Sequence, residues 1–163
     1  MSTEFLNQEA RALHNRAVDC VRLVHDKELR PEHLLHVMLV DDDATTDVSA
    51  LLQRNGITFE ALQRSAYWQQ RNRRQLHGRP TRAPSRDEIR ECDSMDSVYK
   101  YARRNLEVTN KHPRRPLRPV DLLIGIVMLP CPGVSDFFKG LGVDYVKLRT
   151  DAIHLWEQSQ AAA

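Results

Sequence analysis

Apolar residues recur with helical spacing in two stretches of the chain. In the first, Ala10, Leu13, Ala17, Val21 and Val24 fall three or four positions apart, which is the period of one helix face. Asn7 precedes them as an N-cap, a residue whose side chain accepts from an open N–H of the first turn. In the second, Met95, Val98, Tyr101 or Ala102, and Leu106 repeat the pattern, with Asp93 or Ser94 at the start. Each stretch leads to nearly the same phrase: LRPEHLL, Leu29 to Leu35, and LRPVDLL, Leu117 to Leu123. Pro31 and Pro119 suit a first helical turn, where a missing N–H costs little. The runs behind them, EHLLHVMLV and VDLLIGIVML, are apolar on nearly every face, which predicts buried helices. A buried strand is the rival for so short a run. No neighbouring segment offers a partner strand or a hairpin turn, so helix is preferred and no strand is expected.

A third block also occurs twice. Leu51, Leu52, Gly56, Ile57, Phe59 and Leu62 match Phe137, Phe138, Gly142, Val143, Tyr145 and Leu148 at a constant offset of 86. An apolar pair near a helix end, a glycine and then an apolar residue are the ingredients of a left-handed helix stop. Thr58 and Asp144 follow as N-caps of the next helix. Each unit thus reads as helix, buried helix, short helix, capped turn, helix. The pattern predicts an all-α fold of two four-helix repeats, about eight helices, related by a pseudo-two-fold axis. Repeat one spans about 7–66 and repeat two about 87–152, within one domain over 1–163. A period near 87 residues is too long for a solenoid.

Composition places this pattern in an ordinary globular chain: 41% hydrophobic and 28% charged over 163 residues. The longest apolar run, LLIGIVML, has eight residues, far short of the ~20 of a spanning helix. The start lacks a basic stretch leading into an apolar one, so a cytoplasmic location is expected. Three cysteines, Cys20, Cys92 and Cys131, with no C-x-x-C, oppose a closed disulfide framework.

Net charge is +2, but residues 67–86 carry six arginines and no acid. This segment, about 69–85, reads as a basic linker. A further basic group, Arg103, Arg104, Lys111, Arg114, Arg115 and Arg118, lies around a second-unit insertion of about seven residues, Thr109 to Pro116. The two basic segments are expected to share a face. Arg71, Arg73, Arg74, Arg114 and Arg115 are the candidate basic contacts. Tyr67 and Trp68 beside Arg71, Arg73, Arg74, Arg79 and Arg82 would suit a nucleic acid, with rings stacking and guanidinium groups on phosphates. No nucleic-acid fold signature accompanies them, and a charge run reads first as a solvated loop.

A doubled helical unit with P-x-H-L-L or a near variant in each copy, each followed by G-[IV]-x-[FY]-x-x-L, resembles the N-terminal domain of Clp ATPases. The resemblance covers Asn7 to Ala152, and the opening LNQEA is similar to the ClpA-type start. It implies an all-α domain that performs no chemistry and uses no cofactor. Its partners are protein substrates or adaptors, which it passes to the ATP-dependent Clp machinery. The alternative is an accessory subunit of the Clp protease. In some ClpC-branch members the glutamate of each E-H-L-L motif binds phosphorylated arginine. That position is Glu32 here, but Val120 in the second copy, where Asp121 takes the histidine position of His33. Glu32, His33 and Asp121 are therefore the candidate peptide- or adaptor-binding residues.

No G-x-x-x-x-G-K-[ST] occurs, so ATP hydrolysis by the Walker route is not expected of this chain. Metal binding is not expected either. His33 and His36 lack a third ligand at a recognisable spacing, and Asp41, Asp42 and Asp43 lack the alternation of a calcium loop. Trp156 is assigned to packing of the last helix.

Overall fold

The computed structural model describes residues 4–40, 46–64, 82–109, 114–128 and 132–161. Eight α-helices occur among the described residues. Unit one holds α1 (Gln8–Leu23), α2 (Pro31–Val40), α3 (Thr46–Arg54) and α4 (Phe59–Arg64). Unit two holds α5 (Asp93–Thr109), α6 (Pro119–Val127), α7 (Pro132–Gly140) and α8 (Tyr145–Ala161). None of these is long and apolar enough to cross a membrane.

The helix boundaries follow local chemistry. At α1 the Ala10 N–H donates to Asn7 Oδ1 at 2.8 Å, as the cap requires. Gly56 and Gly142 adopt φ of 78° and 70°. In each copy two backbone bonds close the helix end. The Ile57 N–H donates to Leu52 O and the Gly56 N–H to Gln53 O, both at 3.0 Å. The Val143 N–H donates to Phe138 O and the Gly142 N–H to Lys139 O, at 3.0 and 2.9 Å. Together these form the paired six-to-one and five-to-two bonds of a Schellman stop. Thr58 Oγ1 then receives the Ala61 N–H, and Asp144 Oδ1 receives those of Val146 and Lys147, each at 3.1 Å. Helix α5 starts at Asp93, as expected, and Cys92 precedes it. Its carbonyl accepts from the Met95 N–H at 2.8 Å.

The core is continuous through both units. Leu13, Leu34, Leu35, Met38, Leu51 and Leu52 from unit one are fully buried, as are Met95, Val98, Leu122, Leu123 and Phe138 from unit two. Helices α2 and α6 are buried along almost their whole length, which settles the helix-versus-strand question for these runs. Helix α5 crosses α6 very closely. A Cβ placed on Gly125 would lie 2.3 Å from the Val98 carbonyl oxygen, so the crossing requires glycine.

The structure does contain a small amount of strand. Two two-residue strands, β1 (Glu28–Leu29) and β2 (Arg90–Glu91), pair in parallel with Leu29 opposite Glu91. A second parallel bridge joins Leu6 to Leu117. The segment before α1 thus pairs with the one before α6, and the segment before α5 with the one before α2. Exchanging the units carries one bridge onto the other, as a two-fold axis between them requires. Two-residue strands leave no period to read, and their partners come from the opposite unit. From bridge to bridge the second unit is only slightly longer: Leu6 and Leu29 stand 23 positions apart, Glu91 and Leu117 26. By that spacing the insertion is three residues rather than about seven.

Candidate functional site

The two copies of the repeated phrase start α2 and α6, and the structure shows why its middle residues differ. In unit one the Arg30 N–H donates to His33 Nδ1 at 3.0 Å. The ring therefore accepts at Nδ1, with its proton on Nε2. In unit two the Arg118 N–H donates to Asp121 Oδ2 at 2.7 Å. Histidine and aspartate perform the same task, closing the first turn by accepting the N–H of the capping residue. Both side chains are fully buried.

Asp121 carries a larger load. Arg115 donates to both its carboxylate oxygens, at 2.7 and 2.9 Å, and Trp156 Nε1 donates to Oδ1 at 2.7 Å. Arg118 reaches the Ser159 carbonyl and hydroxyl oxygens, each at 3.1 Å, and Arg115 reaches Gln160 Oε1 at 3.3 Å. These bonds fasten the end of α8 to the start of α6. The Arg115 and Arg118 groups thus turn into the fold, as does Arg103, which donates to the Arg115 carbonyl at 2.8 Å. Arg104 and Arg114 remain exposed. Arg71, Arg73, Arg74 and Arg79, with Tyr67 and Trp68, lie outside the described residues. The expectation of a face shared by the two basic segments thus falls mostly outside the described residues.

Glu32 sits in the first turn of α2 and is 7% exposed. Its carboxylate and the Arg30 guanidinium act on the half-buried Cys92 thiol, whose pKa is raised chiefly by burial. Arg30 pairs with the exposed Glu28 at 2.6 Å. His36 stacks at a tilt on Phe59, with ring centroids 5.5 Å apart. Among the described residues no group of three His, Cys, Asp or Glu side chains sits close enough to hold a metal ion.

Between the units lies a polar cluster that periodicity did not reveal. His14 and Tyr99 occupy equivalent positions, seven residues after Asn7 and Cys92, and their rings meet at 6.5 Å. Glu91 Oε1 accepts from the Tyr99 hydroxyl at 3.3 Å and lies 3.0 Å from His14 Nε2. Burial first, and the Glu91 charge second, push the Tyr99 hydroxyl far above its ordinary range, keeping it a donor. A second inter-unit tie joins Asn55 Nδ2 to Asp151 at 2.8 Å.

The described surface also carries large apolar side chains in water. Leu23 ends α1 and is 79% exposed; Val108, near the end of α5, is 77% exposed. They stand sixteen positions after Asn7 and Cys92 respectively, so the same spot is apolar in both units. Val146 and Val40 are also exposed.

Among solved structures, the chain is similar to the N-terminal domain of Hsp104 from Candida albicans. The TM-score is 0.64 with 18% identity, covering 92% of this chain and 90% of that one. This chain has the fold of a Clp ATPase N-terminal domain. A second Clp-N structure, the N-terminal domain (1–163) of the ClpV1 ATPase from the E. coli EAEC Sci1 T6SS, matches at a TM-score of 0.57. Its identity is 19%, covering 91% of this chain and 83% of that one. The sequence matches no protein-family model and no curated protein. The Clp-N fold therefore emerges from the arrangement of helices at an identity below one residue in five.

Proposed function

We propose that this chain is a non-catalytic receiving module that binds protein substrates or adaptors for a Clp-type ATP-dependent unfoldase. The observation that carries this reading is the fold shared with the Hsp104 N-terminal domain over 92% of the chain. The surface is consistent with it. His33 and Asp121 close the first turns of α2 and α6. Leu23 and Val108 offer apolar anchors at matching places in the two units. A few such anchors supply most of the affinity of a protein contact, while surrounding charges steer encounter.

The test is fluorescence anisotropy with a labelled, carboxymethylated polypeptide that cannot fold. Saturable binding is expected, weakened at least ~10-fold (~1.4 kcal/mol) by Leu23→Ser with Val108→Ser. Raising salt from about 50 to about 200 mM should change the affinity by less than ~10-fold. A nucleic-acid ligand held by six or more phosphate contacts would lose ~1,000-fold or more over that range. Binding that ignores both substitutions and collapses with salt would favour the arginine-rich segment as a nucleic-acid site instead.

A further inference from the structure

The helix stops of the two units differ by one residue that carries chemistry. Asn55 precedes Gly56, whereas Leu141 precedes Gly142, and Asn55 is the one asparagine of six that is followed by glycine. That pair is the most open to ring closure, because no side chain screens the glycine nitrogen from the carboxamide and the backbone turns freely there. In the folded chain both reacting groups are engaged. The Gly56 N–H donates to Gln53 O at 3.0 Å. Asn55 Nδ2 donates to Leu51 O at 3.0 Å and to Asp151 Oδ2 at 2.8 Å, and Asn55 Oδ1 accepts from Lys147 Nζ at 3.2 Å. Asn55 is half-buried, while Gly56 is exposed to water.

We propose that Asn55 is a deamidation site held shut by its bond to Asp151, and that its conversion cuts this tie between the units. When the turn opens locally, the Gly56 nitrogen bonds to Asn55 Cγ while the Cγ–Nδ2 bond breaks. The amide proton leaves with Nδ2 as ammonia, and a cyclic imide remains. Water then adds to one of the two imide carbonyl carbons, and the bond from that carbon to the nitrogen breaks. Addition at Cγ gives aspartate. Addition at the main-chain carbonyl carbon gives isoaspartate, in which the chain runs through the side chain. No oxidant or reductant takes part. Aspartate sets a second carboxylate against Asp151 where a donor stood. The Asp151 carboxyl is held below its ordinary range first of all by the Asn55 bond, so that support is lost as well. Isoaspartate instead adds a methylene to the main chain inside the stop that the Ile57 N–H closes on Leu52 O. Unit two has no such weak point, since Leu141 cannot react.

The experiment incubates the full chain in mildly alkaline buffer, folded and in guanidinium chloride, and maps the mass gain at Asn55 after acid digestion with pepsin. Conversion should be at least ~10-fold slower in the folded chain, because it waits on local opening. Folded Asp151→Ala should convert at least ~3-fold faster than the unsubstituted chain, having lost a hydrogen bond to a charged group. Gly125→Ala, which weakens the fold at the α5–α6 crossing instead, should convert at the unsubstituted rate. The product is tested directly with Asn55→Asp, which should lower the urea midpoint. Adding Asp151→Asn returns a donor to the new carboxylate and should recover most of that loss. Equal rates in folded and denatured chains would overturn the proposal. So would an Asp151→Ala rate no faster than the unsubstituted one, or a Gly125→Ala rate raised as much as that of Asp151→Ala. An unchanged midpoint in Asn55→Asp, or one that Asp151→Asn fails to restore, would remove the tie from the account.

Discussion

His33 and Asp121 show how a repeated phrase changes letters while keeping its work. Each accepts the N–H of the capping residue three positions back, a local bond that the spacing of the phrase allows. The further partners of Asp121 come from six residues before it and 35 after it, and no local pattern announces them. Asp121→Ala leaves Arg115, Trp156 Nε1 and the Arg118 N–H without their acceptor, and a loss of ~3 kcal/mol or more is expected. His33→Ala removes mainly a cap and should cost nearer ~1 kcal/mol. Urea unfolding of the two variants tests the difference. The glycines divide similarly. Gly56 sits at φ 78°, so Gly56→Ala should destabilise by ~1–2 kcal/mol. Gly140 ends α7 with nothing within 4 Å of an added Cβ, so Gly140→Ala should be neutral or stabilise by up to ~1 kcal/mol. Thermal melts of the pair decide it. Gly56 and Gly142 were legible from sequence because a left-handed stop needs a glycine followed by an apolar residue. Arg115 was not, since an arginine in a basic run looks solvated until its carboxylate is located.

At the scale of elements, apolar spacing locates helices but says nothing of how closely two of them approach. The α5–α6 crossing is an example. Gly125→Ala places a methyl group against the Val98 carbonyl oxygen, and overpacking of ~1–3 kcal/mol is expected. Because the obstacle is backbone, adding Val98→Ala should fail to rescue the melting temperature. Ion pairs between elements give a second prediction. The segment before β2 is held on α1 by Arg86, which donates to both oxygens of Asp19 at 3.1 and 2.6 Å. Hydrogen bonding by Arg86 is the main cause that lowers the Asp19 pKa below its ordinary 3.8. A carboxylate with a folded pKa below its unfolded value stabilises at pH above the unfolded value. That contribution is lost as pH falls through the folded one, so the relevant window lies below about pH 4. Arg86→Ala should move the Asp19 titration back towards 3.8, as read from its carboxyl carbon by NMR. An unchanged titration would show that the pair does not persist in solution.

Across the whole molecule, each unit is completed by segments of the other, so the units should unfold as one. Hydrogen exchange should give the most protected amides of α2 and α6 the same opening free energy. A unit that exchanges while the other stays protected would show the halves to be independent. The sequence by itself determined about eight helices, the caps at Asn7, Thr58 and Asp144, the glycine stops and the doubling into two units, because these depend on neighbours within about four residues. It also carried enough order to point to the Clp-N fold at an identity of 18–19% with solved examples. Only the tertiary structure decided the reciprocal bridges, the His14–Glu91–Tyr99 cluster and the inward turn of Arg115 and Arg118. Those contacts join residues far apart in the chain, and their energies depend on burial and direction, neither of which a one-dimensional pattern encodes.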